Sequence, residues 1–230
     1  MSADALSAEG LRDRLAQIEE EHATLRSELA AFQSDYLRLV GVVDMQVQEL
    51  EAKYLAIVAA RSGLLDDQTA AAAAEQRFRE TTTAMSAVPA PAGPPPSEDL
   101  KTLFRDAAKR MHPDLVTDDS GREHAEAFMK RLNQSYKKGD AEAIGNLVRQ
   151  WETSPYASLI PPMAGPAPAL QAAVADAEQR LAGARDSDLA RLMEQAFAAS
   201  MSGRDLLAEL RQNAEAALGA ARAKLAQVDT

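Results

Sequence analysis

Cysteine is absent from the 230 residues. That excludes disulfides, thiolate-ligated zinc, iron–sulfur clusters and thiol nucleophiles. Aromatic residues make up only 4% of the chain, so little large apolar surface is available and one core for the whole chain is not expected. The histidines, His22, His112 and His124, are scattered without metal-ligand spacing. The acidic turn from Asp114 to Glu126 fails as a calcium loop: with Gly121 at its central glycine, Val116 and Ala127 fall where carboxylates are needed. No Gly-rich phosphate loop and no Ser/His/Asp arrangement is present. The expectation is therefore no enzyme, no metal and no cofactor. No stretch reaches the roughly 18 apolar residues of a membrane span. The start, Met-Ser-Ala-Asp-Ala-Leu, lacks a basic region followed by an apolar one, which predicts a cytoplasmic protein with no membrane association.

What the chain has in quantity is alanine, 48 residues, the best helix former and a poor contributor to burial. Its net charge is −10, and the acids outnumber the bases most strongly in residues 1–97. Five of the lysines lie between Lys101 and Lys138. An acidic chain with one locally basic module is a poor nucleic-acid binder, because phosphate neutralisation needs a broad basic surface. It suits a protein that presents a cationic face to an acidic protein partner.

Two proline-rich stretches, Pro89–Pro96 and Pro161–Pro168, read as extended linkers. The expected organisation is a coiled coil or helical hairpin over 11–84, a linker over 85–97, a helical module over 98–152, a second linker over 153–168, and a helical hairpin or coiled coil over 169–228. In the first segment Leu11, Leu15, Ile18, His22, Leu25, Leu29, Phe32 and Tyr36 follow the alternating spacing of a coiled-coil seam. The seam resumes at Val40, Val43, Val47, Leu50, Tyr54 and Ile57. The steps Phe32–Tyr36–Val40 form a stutter beside Gly41. Glu19, Glu20 and Glu21 read as part of a solvated face. Ser62-Gly63 reads as a helix stop and Asp66-Asp67 as a new start. A hairpin within the chain, a homodimer and another coiled-coil partner all remain open. In the last segment Leu170, Val174, Ala177 and Leu181 form a short stripe. Ser187 then caps one longer helix through Leu189, Leu192, Ala196, Leu206, Leu210, Ala217 and Leu225. An antiparallel pair across Gly183–Asp186 is expected.

Residues 98–152 differ in kind. Ser97 precedes Glu98 and Asp99, an N-cap followed by first-turn acids. Leu100, Leu103, Phe104, Ala107, Ala108 and Met111 share one helical face, and Lys101, Arg105 and Lys109 stack on another, beside Arg110. Pro113 ends this helix at His112. A second helix from about Arg122 to Lys138 carries Ala125, Phe128, Met129, Leu132 and Tyr136 inward. A third, capped by Asp140, carries Ile144, Leu147, Val148 and Trp151. His124 reads as a surface residue.

The run Leu100-Lys-Thr-Leu-Phe-Arg-Asp-Ala-Ala-Lys-Arg-Met-His-Pro-Asp114 resembles the second helix and His-Pro-Asp loop of a J domain, the Hsp70-binding module of the DnaJ family. Met129-Lys-Arg-Leu-Asn-Gln-Ser-Tyr136 resembles the start of that domain's third helix. The likeness covers about 40 residues of the all-α chain. It implies an Hsp70 (DnaK-type) partner bound through His112, Pro113 and Asp114, supported by Lys101, Arg105, Lys109 and Arg110. The family's short first helix has no counterpart here, because its place holds Met85-Ser-Ala-Val-Pro89 and further prolines. The 169–228 hairpin is the expected substitute cover. Two functions fit: a co-chaperone that stimulates an Hsp70 ATPase, with coils for oligomerisation or targeting, or a coiled-coil scaffold whose J-like module is inactive.

Overall fold

The computed structural model describes residues 7–86, 95–116, 118–157 and 167–228. Most of both proline-rich stretches, and with them most of the expected linkers, lies outside the described residues. The α-helices are α1 (Ala8–Tyr36), α2 (Val42–Ser62), α3 (Leu65–Ser86), α4 (Glu98–Met111), α5 (Asp119–Lys137), α6 (Ala141–Glu152), α7 (Ala167–Arg185), α8 (Asp188–Met201) and α9 (Leu206–Val228). The fold is all-α, and no helix among the described residues is long and apolar enough to cross a membrane.

The expected stutter has a structural counterpart. Leu37–Gly41 between α1 and α2 is a π-helical turn, a local widening of the helix where the four-plus-four spacing departs from the heptad. Gly41 is tightly placed there, since a Cβ would lie 3.2 Å from the Met85 sulfur. Gly63 ends α2 in the left-handed conformation at φ 66°, with its N–H donating to the Ala59 carbonyl.

The chain divides into two compact units, one of residues 1–29 and 93–191, the other of 30–92 and 192–230. In the second unit α2 packs against both α3 and α9. Its buried positions are largely alanine: Ala52, Ala59, Ala74, Ala214 and Ala221, with Val40 and Leu218. The expectation of one long helix after Ser187 is corrected here. Gly203 takes a φ of 72°, and Asp205 accepts from the Ala208 N–H at 3.0 Å to start α9 afresh. That break resets the helical phase, so α9 buries Ala214, Leu218 and Ala221, and Ala217 is exposed.

The first unit is built on α4, α5 and α6, which contact one another pairwise. Their shared core holds Phe104, Met111, Phe128, Met129, Leu132, Tyr136, Ile144, Leu147 and Trp151. Two further helices join it. The α1 residues Leu15 and Ile18 form a cluster with Ala173, Ala177 and Leu181 of α7, and Leu11 joins Leu170 and Leu115. Ion pairs keep the same order: Arg14 to Glu178 at 2.9 Å, Glu19 to Arg180 at 2.7 Å and Glu21 to Arg185 at 3.1 Å. Contacts that advance together along both helices make α1 and α7 a parallel pair. The seam read in residues 11–18 thus finds its partner within the chain, in the stripe that begins at Leu170.

Candidate functional site

Helix α4 starts where Ser97 Oγ accepts from the Leu100 N–H at 3.2 Å, with Glu98 and Asp99 in its first turn, where acids favour the helix dipole. It stops at His112, whose backbone is extended at φ −67° and ψ 133°, because Pro113 disfavours helical geometry in its predecessor. Pro113–Leu115 form a single 3₁₀ turn. Asp118 then caps α5 by accepting from Gly121 N–H at 2.7 Å and Ser120 Oγ–H at 2.8 Å. The Gly121 bond first, then that of Ser120, holds the Asp118 carboxyl below its ordinary value. Helix α5 therefore begins three residues before the expected Arg122. Gly121 is required there, since a Cβ would stand 2.6 Å from Val116 Cγ1 and 2.8 Å from Asp118 Oδ2. The Phe104 and Tyr136 rings meet at 4.7 Å, which sets α4 and α5 antiparallel with the His-Pro-Asp turn at their joint.

The three residues of that turn face different surroundings. The Asp114 side chain is 45% exposed and that of His112 only 7%. Asp114 N–H donates to His112 Nδ1 at 3.2 Å. That leaves Nε2 as the ring nitrogen that faces Glu19 Oε1, at 3.6 Å. Glu19 is itself buried and accepts from Arg180 of α7 at 2.7 Å. Burial alone would raise the Glu19 carboxyl, but the His112 imidazole and Arg180 guanidinium together outweigh it and hold the group below its ordinary 4.5. Glu19 and Glu20 are both buried, which corrects the reading of this acidic run as a solvated face. The run faces α4, α5 and α7.

The basic residues of α4 are engaged within the unit. Lys101 pairs with Glu98 at 2.8 Å, Lys109 with Asp13 of α1, and Arg110 with Glu152 of α6. Arg105 donates to Thr102 Oγ1 at 3.1 Å. Helix α1 adds a further polar tie, Thr24 Oγ1 to Tyr136 Oη at 2.6 Å, and it places Ala16 and Ala23 against the α4–α5–α6 core. The expected cover is the 169–228 segment; its first helix, α7, does reach the module through Leu170 on Leu115, and α1 supplies the rest of the cover.

The sequence brought His112, Pro113 and Asp114 together correctly as one turn. It gave no sign of Asp13, Glu19 or Arg180, because each lies on a helix whose contact is made far away in the chain. His124 is half-buried among Phe128, Trp151 and Tyr156, with ring centroids 4.8–5.8 Å away, a packing position rather than a surface one. Among the described residues no group of His, Asp and Glu is arranged to hold a metal ion. Compared with known proteins, the chain matches no family model, no characterised protein and no solved structure.

Proposed function

We propose that the chain is a non-catalytic co-chaperone that docks on an Hsp70-type ATPase through the His112-Pro113-Asp114 turn and α4, and so stimulates ATP hydrolysis by that partner. The observation that carries the reading is the placement of this turn at the joint of two antiparallel helices with the Asp114 carboxylate directed to solvent. An exposed carboxylate on a proline-fixed turn can take charge-assisted hydrogen bonds from a cationic partner group. The bases of α4 would steer an acidic partner surface, raising the association rate more than the affinity. Favouring the hydrolysis-competent state of the partner is then allostery exerted on another protein's active site.

A second reading, a scaffold with an inactive J-like module, is favoured by one observation: His112 is only 5% exposed. Steady-state hydrolysis by a DnaK-type Hsp70 with the full-length chain separates the two. The expected outcome is stimulation that Asp114→Asn removes with the helical circular dichroism unchanged, since an exposed substitution shifts stability by less than about 0.5 kcal/mol. Equal stimulation by the wild type and Asp114→Asn would end the co-chaperone reading.

A further inference from the structure

The first unit has two kinds of internal surface. Between α1 and α7 an apolar seam, Leu15 and Ile18 against Ala173, Ala177 and Leu181, is flanked by the ion pairs of Arg14, Glu19 and Glu21. Between α1 and the α4–α5 hairpin it is made of small and polar groups: Ala16, Ala23, Thr24 on Tyr136, Asp13 on Lys109, and Glu19 on His112. The hairpin and α6 keep Phe104, Met111, Leu132 and Ile144 against one another. If the α1–α7 pair swung away, its apolar seam would stay closed and the hairpin core would stay largely closed. The main apolar loss is Leu115, which packs on Leu11 and Leu170.

We propose that α1 and α7 form an autoinhibitory cover over the His-Pro-Asp turn, latched by Glu19 between His112 and Arg180. The inference rests on the reading of the turn as an Hsp70-docking element and adds its regulation. In the closed state the cover withholds two things docking needs: the His112 ring and the Lys109 ammonium, which Asp13 holds. A buried ion pair is poor static glue, because desolvation offsets most of the attraction. It suits a latch, because losing His112 leaves the buried Glu19 carboxylate with one polar partner, Arg180, in place of two. An Hsp70 that captures Asp114, which stays outside the cover, and then His112 would leave Glu19 paired with Arg180 alone and free α1, together with α7, from the turn. The open state is thereby coupled to docking through the same groups.

Two measurements on the full-length chain test this. The first is carbethoxylation of histidines read site by site by mass spectrometry, which needs no Hsp70. In the wild type His112 should react slowly, and in Glu19→Gln and in Arg180→Glu about fivefold faster or more. Wild-type His112 reacting as fast as a free imidazole would overturn the cover. The second exploits the lack of cysteine. Arg14→Cys and Glu178→Cys, at an exposed α1–α7 pair, join the two helices to each other and serve as the control. Asp13→Cys and Lys109→Cys, joined by a short reducible bismaleimide, lock α1 onto α4. The locked Asp13–Lys109 protein should stimulate Hsp70 about tenfold less than the same protein after reduction, and the Arg14–Glu178 crosslink should change little. Equal stimulation before and after reduction would overturn the cover while leaving the docking reading intact. If Glu19→Gln exposes His112 and stimulates no more than the wild type, the latch is not inhibitory. If Asp114→Asn changes nothing in the Glu19→Gln background, the docking reading itself fails.

Discussion

Glu19 carries opposing demands at a single carboxylate. Burial penalises its charge, and His112 and Arg180 more than compensate, so its folded-state pKa lies below 4.5. A depressed acid contributes stability that is fully present above its unfolded value and lost as pH falls through the folded one. His22, one turn further along α1, has its pKa lowered from 6.5. Burial is the main cause, with Arg26 and Arg180 adding to it and Glu19 opposing. A lowered histidine also contributes stability at high pH, and that contribution declines as pH falls below about 6.5. Acid should thus destabilise the first unit in two steps, His22 first and Glu19 below about pH 4.5. Asp114, Glu20 and Asp176, which pairs with Arg180, are the other charges near this cluster. Glu19→Gln should shrink the lower step, which the depressed Asp118 carboxyl shares, and keep the upper, read as urea midpoints of Trp151 fluorescence between pH 7 and 3. Identical acid profiles for the variant and the wild type would refute the assignment. None of this was readable beforehand, since Glu19 sits in a run of three glutamates whose ordinary environment is water.

At the scale of elements, seams were easier to read than their partners. The stripe Leu11–Leu15–Ile18, the stop at Gly63, the caps Ser97, Asp140 and Ser187 and the inward faces of α4, α5 and α6 follow from spacing and cap chemistry alone. What spacing cannot encode is which stripe meets which. Leu11 to Ile18 could satisfy a second copy of the chain as well as it satisfies α7. The break at Ser202–Asp205 was hidden because Leu206 and Leu210 still fit the period that begins at Leu189, although Gly203 and Asp205 are a stop and a cap. The packing of α1 and α7 on the hairpin has a measurable consequence. An isolated 98–152 fragment keeps its α4–α5–α6 core but uncovers Leu115, 3% exposed in the whole chain, and frees Tyr136 from Thr24. Uncovering one leucine forgoes about 1.5–3 kcal/mol, and each kcal/mol lowers the melting temperature of a domain this small by roughly 4–8 °C. The fragment should melt cooperatively at a clearly lower temperature than the first unit of the full chain. Equal melting temperatures would show that the covering helices add nothing to the hairpin.

For the whole molecule, the division into two units predicts two unfolding transitions, and composition predicts their order. The core of the first unit contains Phe104, Phe128, Tyr136, Trp151, Ile144 and Leu132, each worth about 1.5–3 kcal/mol or more when buried. The buried positions of the second are mainly Ala52, Ala59, Ala74, Ala214 and Ala221. Alanine removes far less apolar area from water per residue, so the helices of that unit depend on close backbone approach and on helix propensity. Trp151 is the only tryptophan in the chain, and it lies in the first unit, against Phe128 at 5.4 Å. Its fluorescence therefore reports the first unit alone, whereas circular dichroism at 222 nm reports the helices of both. In a urea titration the helical signal should begin to fall before the fluorescence changes, because coincident transitions by different probes are the mark of a single two-state unit. Leu218→Ala, a substitution of the largest fully apolar side chain that α9 buries, should move the early transition to lower urea and leave the Trp151 midpoint in place. Large-to-small changes of this kind cost about 2–5 kcal/mol at buried sites, and sites in separate units do not share that cost. If the two probes trace one curve, and Leu218→Ala shifts it as a whole, the units are energetically one and the separation of their cores does not govern how the chain unfolds.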